Sequence, residues 1–213
     1  AELRKQVVGH RDDVTPDRIG LEKVEHLPRA GPEQLRPGAS GKDLEGARVY
    51  TSDQTHFSIA RALDELGFPR ETLVVLPADA DFHLRGEPVA AAITKDKAAG
   101  LTPFAIAAVA GSTNTGSVDA IGELADVAEA EGLWFHVDAA YGGGARLSER
   151  DRDRVRDLDR ADSVTVDPHK WFFQAYDIGG LLVREGRGLA AVFGGRAPEY
   201  YRGGETPGSG LPV

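Results

Sequence analysis

The sequence predicts an α/β protein in which a mostly parallel β-sheet is flanked by helices. From Arg48 onward, short apolar runs rich in Val, Ile and Leu alternate with longer segments of helical periodicity, which is the pattern of βαβ units. The chain has 213 residues, 41% of them hydrophobic, which is enough to bury the core of one large domain. No apolar run reaches the roughly 18 residues that a membrane span requires.

Residues 1–47 form a lead-in of helical and loop segments rich in Pro, Gly and charge. Thr-Pro-Asp at 15–17 supplies an N-cap, an N1 proline and a first-turn acid, which predicts a short helix. Gly41 and Lys42 do not form a phosphate-binding loop, because Asp43 stands where that loop needs Ser or Thr.

From Arg48 the predicted elements follow one another in regular order. Apolar, β-branched runs are interpreted as strands, and amphipathic segments followed by glycine as helices. The helix predicted last in the chain is highly charged and mainly solvated, and the Gly- and Pro-rich end is predicted to be a flexible tail. The strands are 48–51, 72–76, 104–110, 133–137, 163–166 and 180–184, the helices are 55–66, 87–99, 118–130 and 147–158, and the tail is 202–213.

Charge and composition exclude several kinds of function. The formal net charge is -9, and an acidic protein lacks the basic patches that nucleic acids and anionic membranes require. There is no cysteine, hence no disulfide, Cys-based metal site or Cys nucleophile. No signal peptide is recognised, so a cytoplasmic location is expected. The chain begins at Ala1 and contains no Met, which favours a processed or partial piece of a longer polypeptide.

The most informative stretch begins with the predicted strand 163–166. The strand stops before Pro168, because proline lacks the ladder donor. Lys170 then lies between His169 and Trp171, where partial desolvation would favour its neutral amine. A neutral amine is what a carbonyl cofactor needs to form a Schiff base. The alternative is a surface lysine at a strand end, which is the commoner situation for a lone lysine.

Polar groups able to do chemistry follow four of the predicted strands. In open α/β sheets, ligands bind beyond the carboxyl ends of the strands. The concentration of such groups at one rim therefore predicts a binding or catalytic site, although each group alone would be weak support. The four segments are 52–56, 111–116, 136–144 and 167–170.

Individual residues of this rim leave two interpretations open. Asp138 should be half-buried and in need of a partner, either the protonated nitrogen of a heterocycle or backbone amides at a cap or loop. His136 shares a face with Asp138 and either supports it or is a core histidine. Ala140 and the glycines 142–144 leave room for a flat ring, unless the glycines form a plain turn. His56 either stacks on a ring or packs as an ordinary histidine.

Three blocks of sequence together resemble the pyridoxal-5′-phosphate-dependent group II amino acid decarboxylases. That family includes the aromatic amino acid, glutamate, eukaryotic-type histidine and diaminobutyrate decarboxylases. The blocks occur in the family's order, and 170 − 138 = 32 residues separate the acid from the lysine. They are Tyr50-Thr-Ser-Asp-Gln-Thr-His56, His136-Val-Asp-Ala-Ala-Tyr-Gly142 and Asp167-Pro-His-Lys-Trp171.

The resemblance covers roughly residues 48–201. It implies that this segment is part of the large domain of a fold-type-I pyridoxal-phosphate-dependent transferase, with pyridoxal 5′-phosphate as the cofactor. Within it, Lys170 matches the lysine that carries the internal aldimine, and Asp138 matches the carboxylate that pairs with the pyridine nitrogen.

Further matched positions surround the cofactor in the family. His56 matches the imidazole that stacks on the ring and touches the substrate carboxylate, and Ala140 the alanine on the opposite face. Thr113 matches a threonine facing the cofactor, and His169 and Asp167 match positions near its phosphate. Many relatives carry Asn where this chain has Asp167, so a backbone or water-mediated role is expected there.

Tyr200 resembles the tyrosine of a mobile loop that is linked to protonating the substrate carbon after CO2 leaves. The neighbouring Tyr201 leaves the alignment open by one residue. A phenylalanine at this position tends to accompany oxidative, aldehyde-forming relatives, so tyrosine favours simple decarboxylation.

The resemblance implies a carboxy-lyase that converts an L-amino acid to its amine and CO2, acting as a homodimer. The alternatives are an aldehyde synthase of the same fold and a truncated, non-catalytic subunit. The lack of a recognisable phosphate loop in residues 1–47 favours the latter, whereas the intact Lys170, Asp138 and His56 argue against it. The family's small C-terminal domain is also not recognised in the sequence. Missing N- and C-terminal segments would then complete the protein. A dinucleotide-binding domain would need a glycine fingerprint after an early strand, which is lacking.

Overall fold

The structure, a computed structural model, describes residues 44–186, and these contain a six-stranded β-sheet. The strands lie in the order β2-β1-β3-β4-β5-β6, and all neighbours are parallel except β6, which runs antiparallel to β5. The predicted α/β class with a mostly parallel sheet is confirmed. The strands are β1 (Ala47–Ser52), β2 (Leu73–Leu76), β3 (Thr102–Val109), β4 (Trp134–Asp138), β5 (Ser163–Val166) and β6 (Gly180–Val183).

Helices cover both faces of this sheet, as predicted. The structure contains α1 (Ser58–Glu65), α2 (Gly86–Ala98), α3 (Ile121–Glu131) and the short α4 (Pro168–Trp171). No helix within residues 44–186 combines the length and the apolar character needed to cross a bilayer.

The two faces of the sheet are buried to different extents. Helices α2 and α3 pack on one face around fully buried side chains such as Tyr50, Ile106 and Phe135. On the other face α1 contributes only the half-buried Ile59 and Leu63, which pack against a small cluster in β1 and β3. Burying apolar area is the main favourable contribution to folding, so the α2/α3 face supplies most of the stability of this segment.

The charged helix predicted at 147–158 is wrong. The structure instead has two 3-10 segments, Gly142–Leu147 and Arg152–Arg160, and Val155 interrupts the second with non-helical backbone angles. Side chains three apart eclipse each other in a 3-10 helix. The ion pair of Arg154 with Asp151, at 3.4 Å and three residues apart, fits that geometry.

Several sequence predictions lie outside the described residues. These are the lead-in helix, the loop at Gly41 and Lys42, the tyrosines Tyr200 and Tyr201, and the C-terminal tail. The domain boundaries at 48 and 201 therefore remain predictions.

Candidate active site

The strand order brings the polar strand ends of the predicted rim together. Strands β1, β3, β4 and β5 are consecutive in the sheet and mutually parallel, so their carboxyl ends share one edge. A cavity of about 280 Å³ opens at this edge. Six residues that the resemblance places around the cofactor line it: His56, Thr113, Asp138, Ala140, Asp167 and Lys170.

Asp138 ends β4 and is half-buried at the cavity wall. Its Oδ1 accepts hydrogen bonds from the backbone N–H of Ala140 at 3.1 Å and from Oγ1 of Thr165 at 3.2 Å. Within residues 44–186 no hydrogen bond reaches its other oxygen, Oδ2. A carboxylate oxygen in this position is available to accept a hydrogen bond from a ligand.

Lys170 lies in α4, which begins at Pro168 directly after β5. Its Nζ is 2.9 Å from Oδ2 of Asp167, and its side chain is 37% exposed. The partial desolvation expected for Lys170 therefore stays a prediction. One turn of helix places Asp167 three residues away on the same side, where it pairs with the ammonium at the mouth of the cavity.

His136 also lines the cavity, but it does not hydrogen-bond to Asp138 in the described part of the chain. Its Nδ1 lies 2.8 Å from Oγ of Ser163, and the same oxygen accepts a hydrogen bond from Nε1 of Trp134 at 2.9 Å. Burial lowers the pKa of His136, and the nearby charge of Asp138 opposes that shift only in part. The imidazole is therefore neutral at physiological pH.

His56 and Thr113 reach the cavity from loops. His56 precedes α1, its Nδ1 is 2.9 Å from Oγ of Ser58, and its ring centroid is 4.1 Å from that of Phe57. Thr113 lies in the loop 110–118, which folds back on itself through backbone bonds to the carbonyl of Ser117.

Asp119 closes this loop at its base. The buried carboxylate accepts the backbone N–H groups of Leu84 at 2.8 Å and Val109 at 2.7 Å. Burial raises the pKa of Asp119 to about 6, so the carboxylate is ionised at neutral pH and can accept both bonds. These two hydrogen bonds hold the end of β3 in place, and they thereby hold the loop that carries Thr113.

The glycines 142–144 were predicted either to leave room for a ring or to form a turn, and the structure shows a tight turn filled by the protein itself. A Cβ on Gly142 would lie 2.3 Å from the carbonyl oxygen of Ala110, and one on Gly144 would lie 2.6 Å from Cβ of Trp171. The N–H of Gly142 donates to Ala110 at 2.9 Å, so the backbones of two loops are in direct contact here.

His169 does not line the cavity, although the sequence analysis placed it near a phosphate. Its Nδ1 is 2.7 Å from the carbonyl oxygen of Ile178, and the ring of Tyr176 packs edge-on at 4.8 Å. Its role in binding stays a prediction.

Ser163 and Thr165 are functional residues that the sequence did not identify, whereas Tyr141 belongs to the predicted rim segment 136–144. Ser163 and Thr165 face the polar side chains of β4 across the sheet, and Tyr141 lines the cavity and packs edge-on against Trp171. The hydroxyls of β5 alternate with apolar residues, which was a usable signal. Their partners depend on strand register, which the sequence does not reveal.

Comparison with known proteins agrees with this geometry. A family model described as the pyridoxal-dependent decarboxylase conserved domain matches residues 35–202. An aromatic-L-amino-acid decarboxylase of Bacillus atrophaeus is 42% identical over 80% of this chain and 35% of its own length. A phenylacetaldehyde synthase of Arabidopsis thaliana is 35% identical over 75% of this chain and 33% of its own length.

Solved structures show the same architecture. The crystal structure of Oryza sativa TDC with PLP and tryptamine superposes with a TM-score of 0.73 at 32% identity, covering 81% of this chain and 35% of that one. The chain thus spans about a third of the length of the relatives that it matches.

Proposed function

Because this chain belongs to the pyridoxal-dependent decarboxylase family, we propose that the protein decarboxylates an L-amino acid to the amine and CO2 with pyridoxal 5′-phosphate. The observation that carries the proposal is that Lys170, Asp138 and His56 all line one cavity. These are the residues that the family resemblance pairs with the cofactor's aldehyde, ring nitrogen and ring face.

The chemistry of the cavity suits this cofactor. The amine of Lys170 and the carboxylate of Asp138 offer a partner for an aldehyde carbon and for a protonated ring nitrogen, respectively. Oδ2 of Asp138 has no other hydrogen bond within residues 44–186, which fits a site that awaits a donor from a ligand.

Each residue then has a separate task. When bound, pyridoxal phosphate accepts the electron pair that departing CO2 leaves behind. Asp138 keeps a proton on the ring nitrogen through a charge-assisted hydrogen bond. Lys170 would hold the cofactor covalently through Nζ, and its amine would be placed to move a proton. Before the cofactor binds, Lys170 must leave its ion pair with Asp167.

The overall reaction balances without an oxidant. Over the whole reaction, the bond between Cα and the carboxylate carbon breaks, and its electron pair ends in a new C–H bond that Cα forms with one proton. The imidazole of His56, at the rim beside α1, is proposed to contact the substrate carboxylate. Tyr200, which lies outside the described residues, is proposed to help deliver the proton to Cα.

Substrate and assembly are proposed from the relatives. Several similar proteins are named as aromatic amino acid, tryptophan or tyrosine decarboxylases, so aromatic L-amino acids are the first substrates to test. Diaminobutyrate and aspartate decarboxylases are also similar, and a screen must include those two amino acids. We propose that the protein acts as a homodimer.

One experiment tests the proposal directly. The full-length protein is mixed with pyridoxal phosphate, and its visible absorbance and amine release are measured over the common amino acids. Wild type should gain the absorbance of covalently held cofactor and release amine, whereas Lys170→Ala should do neither. Absence of cofactor binding by wild type would favour the non-catalytic alternative.

A second candidate function is oxidative decarboxylation to an aldehyde. It is supported by the 35% identity to phenylacetaldehyde synthase. Tyr200 argues against it, because phenylalanine at that position tends to accompany the aldehyde-forming relatives. Quantifying amine, aldehyde and consumed O2 in the same assay separates the two reactions.

A further inference from the structure

We infer that Thr165 is a positioning residue that aims the carboxylate of Asp138 at the cofactor ring. The inference rests on the proposed function, and it assigns a role to a side chain that the mechanism above does not use. Thr165 acts through Asp138 and not by contact with the substrate.

The strand register puts the two residues directly opposite each other. Asp138 on β4 pairs with Thr165 on β5, and Oγ1 of Thr165 donates to Oδ1 of Asp138 at 3.2 Å. The backbone of Thr165 is itself held, because its carbonyl accepts the N–H of Ala139 at 3.1 Å. The hydroxyl is thus carried by a fixed part of the sheet.

Both hydrogen bonds to the carboxylate reach the same oxygen. Oδ1 accepts from Thr165 and from the N–H of Ala140, while Oδ2 accepts none within residues 44–186. A carboxylate is planar, so holding one oxygen from two directions also fixes where the other oxygen points. The terminal torsion of an aspartate is broad and would otherwise allow rotation.

The two donors are not equivalent. Ala140 is two residues from Asp138 and moves with the same turn, whereas Thr165 belongs to the neighbouring strand. Only the threonine ties the orientation of the carboxylate to the sheet and hence to the position of Lys170, which follows β5. The same arrangement recurs two pairs earlier, on the same face of the sheet, where Ser163 of β5 lies opposite His136 and is bonded to its ring.

The test compares Thr165→Val, which removes the hydroxyl at nearly constant shape, with Thr165→Ser, which keeps the hydroxyl. Cofactor affinity of the full-length protein is measured by equilibrium titration. Loss of one hydrogen bond to a charged group predicts about tenfold weaker binding of pyridoxal phosphate by the valine variant. The serine variant should stay within about twofold of wild type, because its hydroxyl makes the same bond.

A cofactor analogue with carbon in place of the ring nitrogen shows whether Thr165 affects cofactor affinity through Asp138. Because this analogue cannot bond to Asp138, its affinity should be the same within about twofold for wild type, Thr165→Val and Thr165→Ser. Equal losses with both ligands would overturn the inference, since Thr165 would then act on another part of the cofactor. Wild-type affinity of the valine variant for pyridoxal phosphate would also overturn it.

Folding is checked by thermal unfolding of each variant. If Thr165→Val is not folded, Thr165→Ala replaces it in the same comparison with the serine variant. Failure of the wild-type protein itself to bind pyridoxal phosphate would refute the proposed function instead, so the two failures are distinguishable.

Discussion

Asp138 lines the cavity, and within residues 44–186 only one of its two carboxylate oxygens, Oδ1, accepts hydrogen bonds. We predict that Asp138→Ala retains part of the cofactor through Lys170 but loses at least about 100-fold in kcat, because a preorganised charge at the ring nitrogen is removed. Cofactor content and kcat are measured on the same preparation. Turnover like that of wild type would contradict the assignment of Asp138.

His136 gives the free energy of unfolding a predictable dependence on pH. Burial lowers the pKa of His136 in the folded protein below its unfolded value of about 6.5, so the unfolded chain binds more protons as pH falls below that value. The free energy of unfolding is therefore highest above that pH and decreases in acid.

We expect His136→Gln to remove this part of the pH dependence. Between pH 7.5 and 5.5, the free energy of unfolding of the wild type should fall more steeply than that of the variant, as measured by urea denaturation at each pH. Other titrating groups are common to both proteins and cancel in the difference. If the free energy of unfolding changed equally with pH in the wild type and the variant, His136 would not change its protonation on unfolding.

At the level of elements, the site depends on contact between the turn after β4 and the loop after β3. The N–H of Gly142 donates to Ala110, and a Cβ on Gly142 would meet that carbonyl oxygen at 2.3 Å. We predict that Gly142→Ala costs about 1–3 kcal/mol in the free energy of unfolding, because backbone must move to relieve the clash.

The matched control is Gly186→Ala, since a Cβ there meets no atom of residues 44–186 within 4 Å. This control should unfold within about 0.5 kcal/mol of wild type. The turn follows Asp138 and carries Tyr141, so Gly142→Ala should weaken cofactor binding as well. Equal stability of the two alanine variants would show that the close approach of the backbones is not required.

At the level of the whole molecule, residues 44–186 expose many large apolar side chains. Phe173 is 94% exposed, Tyr176 83% and Leu182 61%. Six exposed large apolar side chains come from the single segment 171–182, and such a concentration is typical of a contact surface: Trp171, Phe173, Tyr176, Ile178, Leu181 and Leu182. The chain spans about a third of the length of its relatives. These exposed side chains can be covered either by segments that the relatives have in addition or by the proposed second copy of the chain.

We therefore predict that a protein cut to residues 44–186 self-associates and binds the apolar dye ANS, whereas the full-length protein does so much less. Light scattering and dye fluorescence at equal concentrations measure the difference. Replacing Leu182 by Lys in the cut protein should reduce both signals, because a charge interrupts the patch. A monomeric cut protein that ignores the dye would contradict the prediction.

The elements that the sequence predicted correctly are those with a regular pattern of apolar residues along the chain. Periodicity located the six strands and three of the four predicted helices to within a few residues, because the apolar faces of these elements are long and regular. The helix predicted at 147–158 is wrong because the segment has too few apolar residues to form a helix face, and Val155 is the one buried residue of Arg152–Arg160. Strand ends also identified the rim, since a parallel sheet gathers its carboxyl ends at one edge.

Residue types and their order along the chain therefore specify the fold class, the family and six residues of the cavity lining. Contacts between side chains of different strands and loops could be identified only from the folded structure. The bond of Thr165 to Asp138, the ion pair of Lys170 with Asp167, and the use of Gly142 for packing all depend on register and on close approach of segments far apart in sequence. The reason is physical: side-chain pattern sets which face of an element is buried, while only packing decides which neighbour it meets.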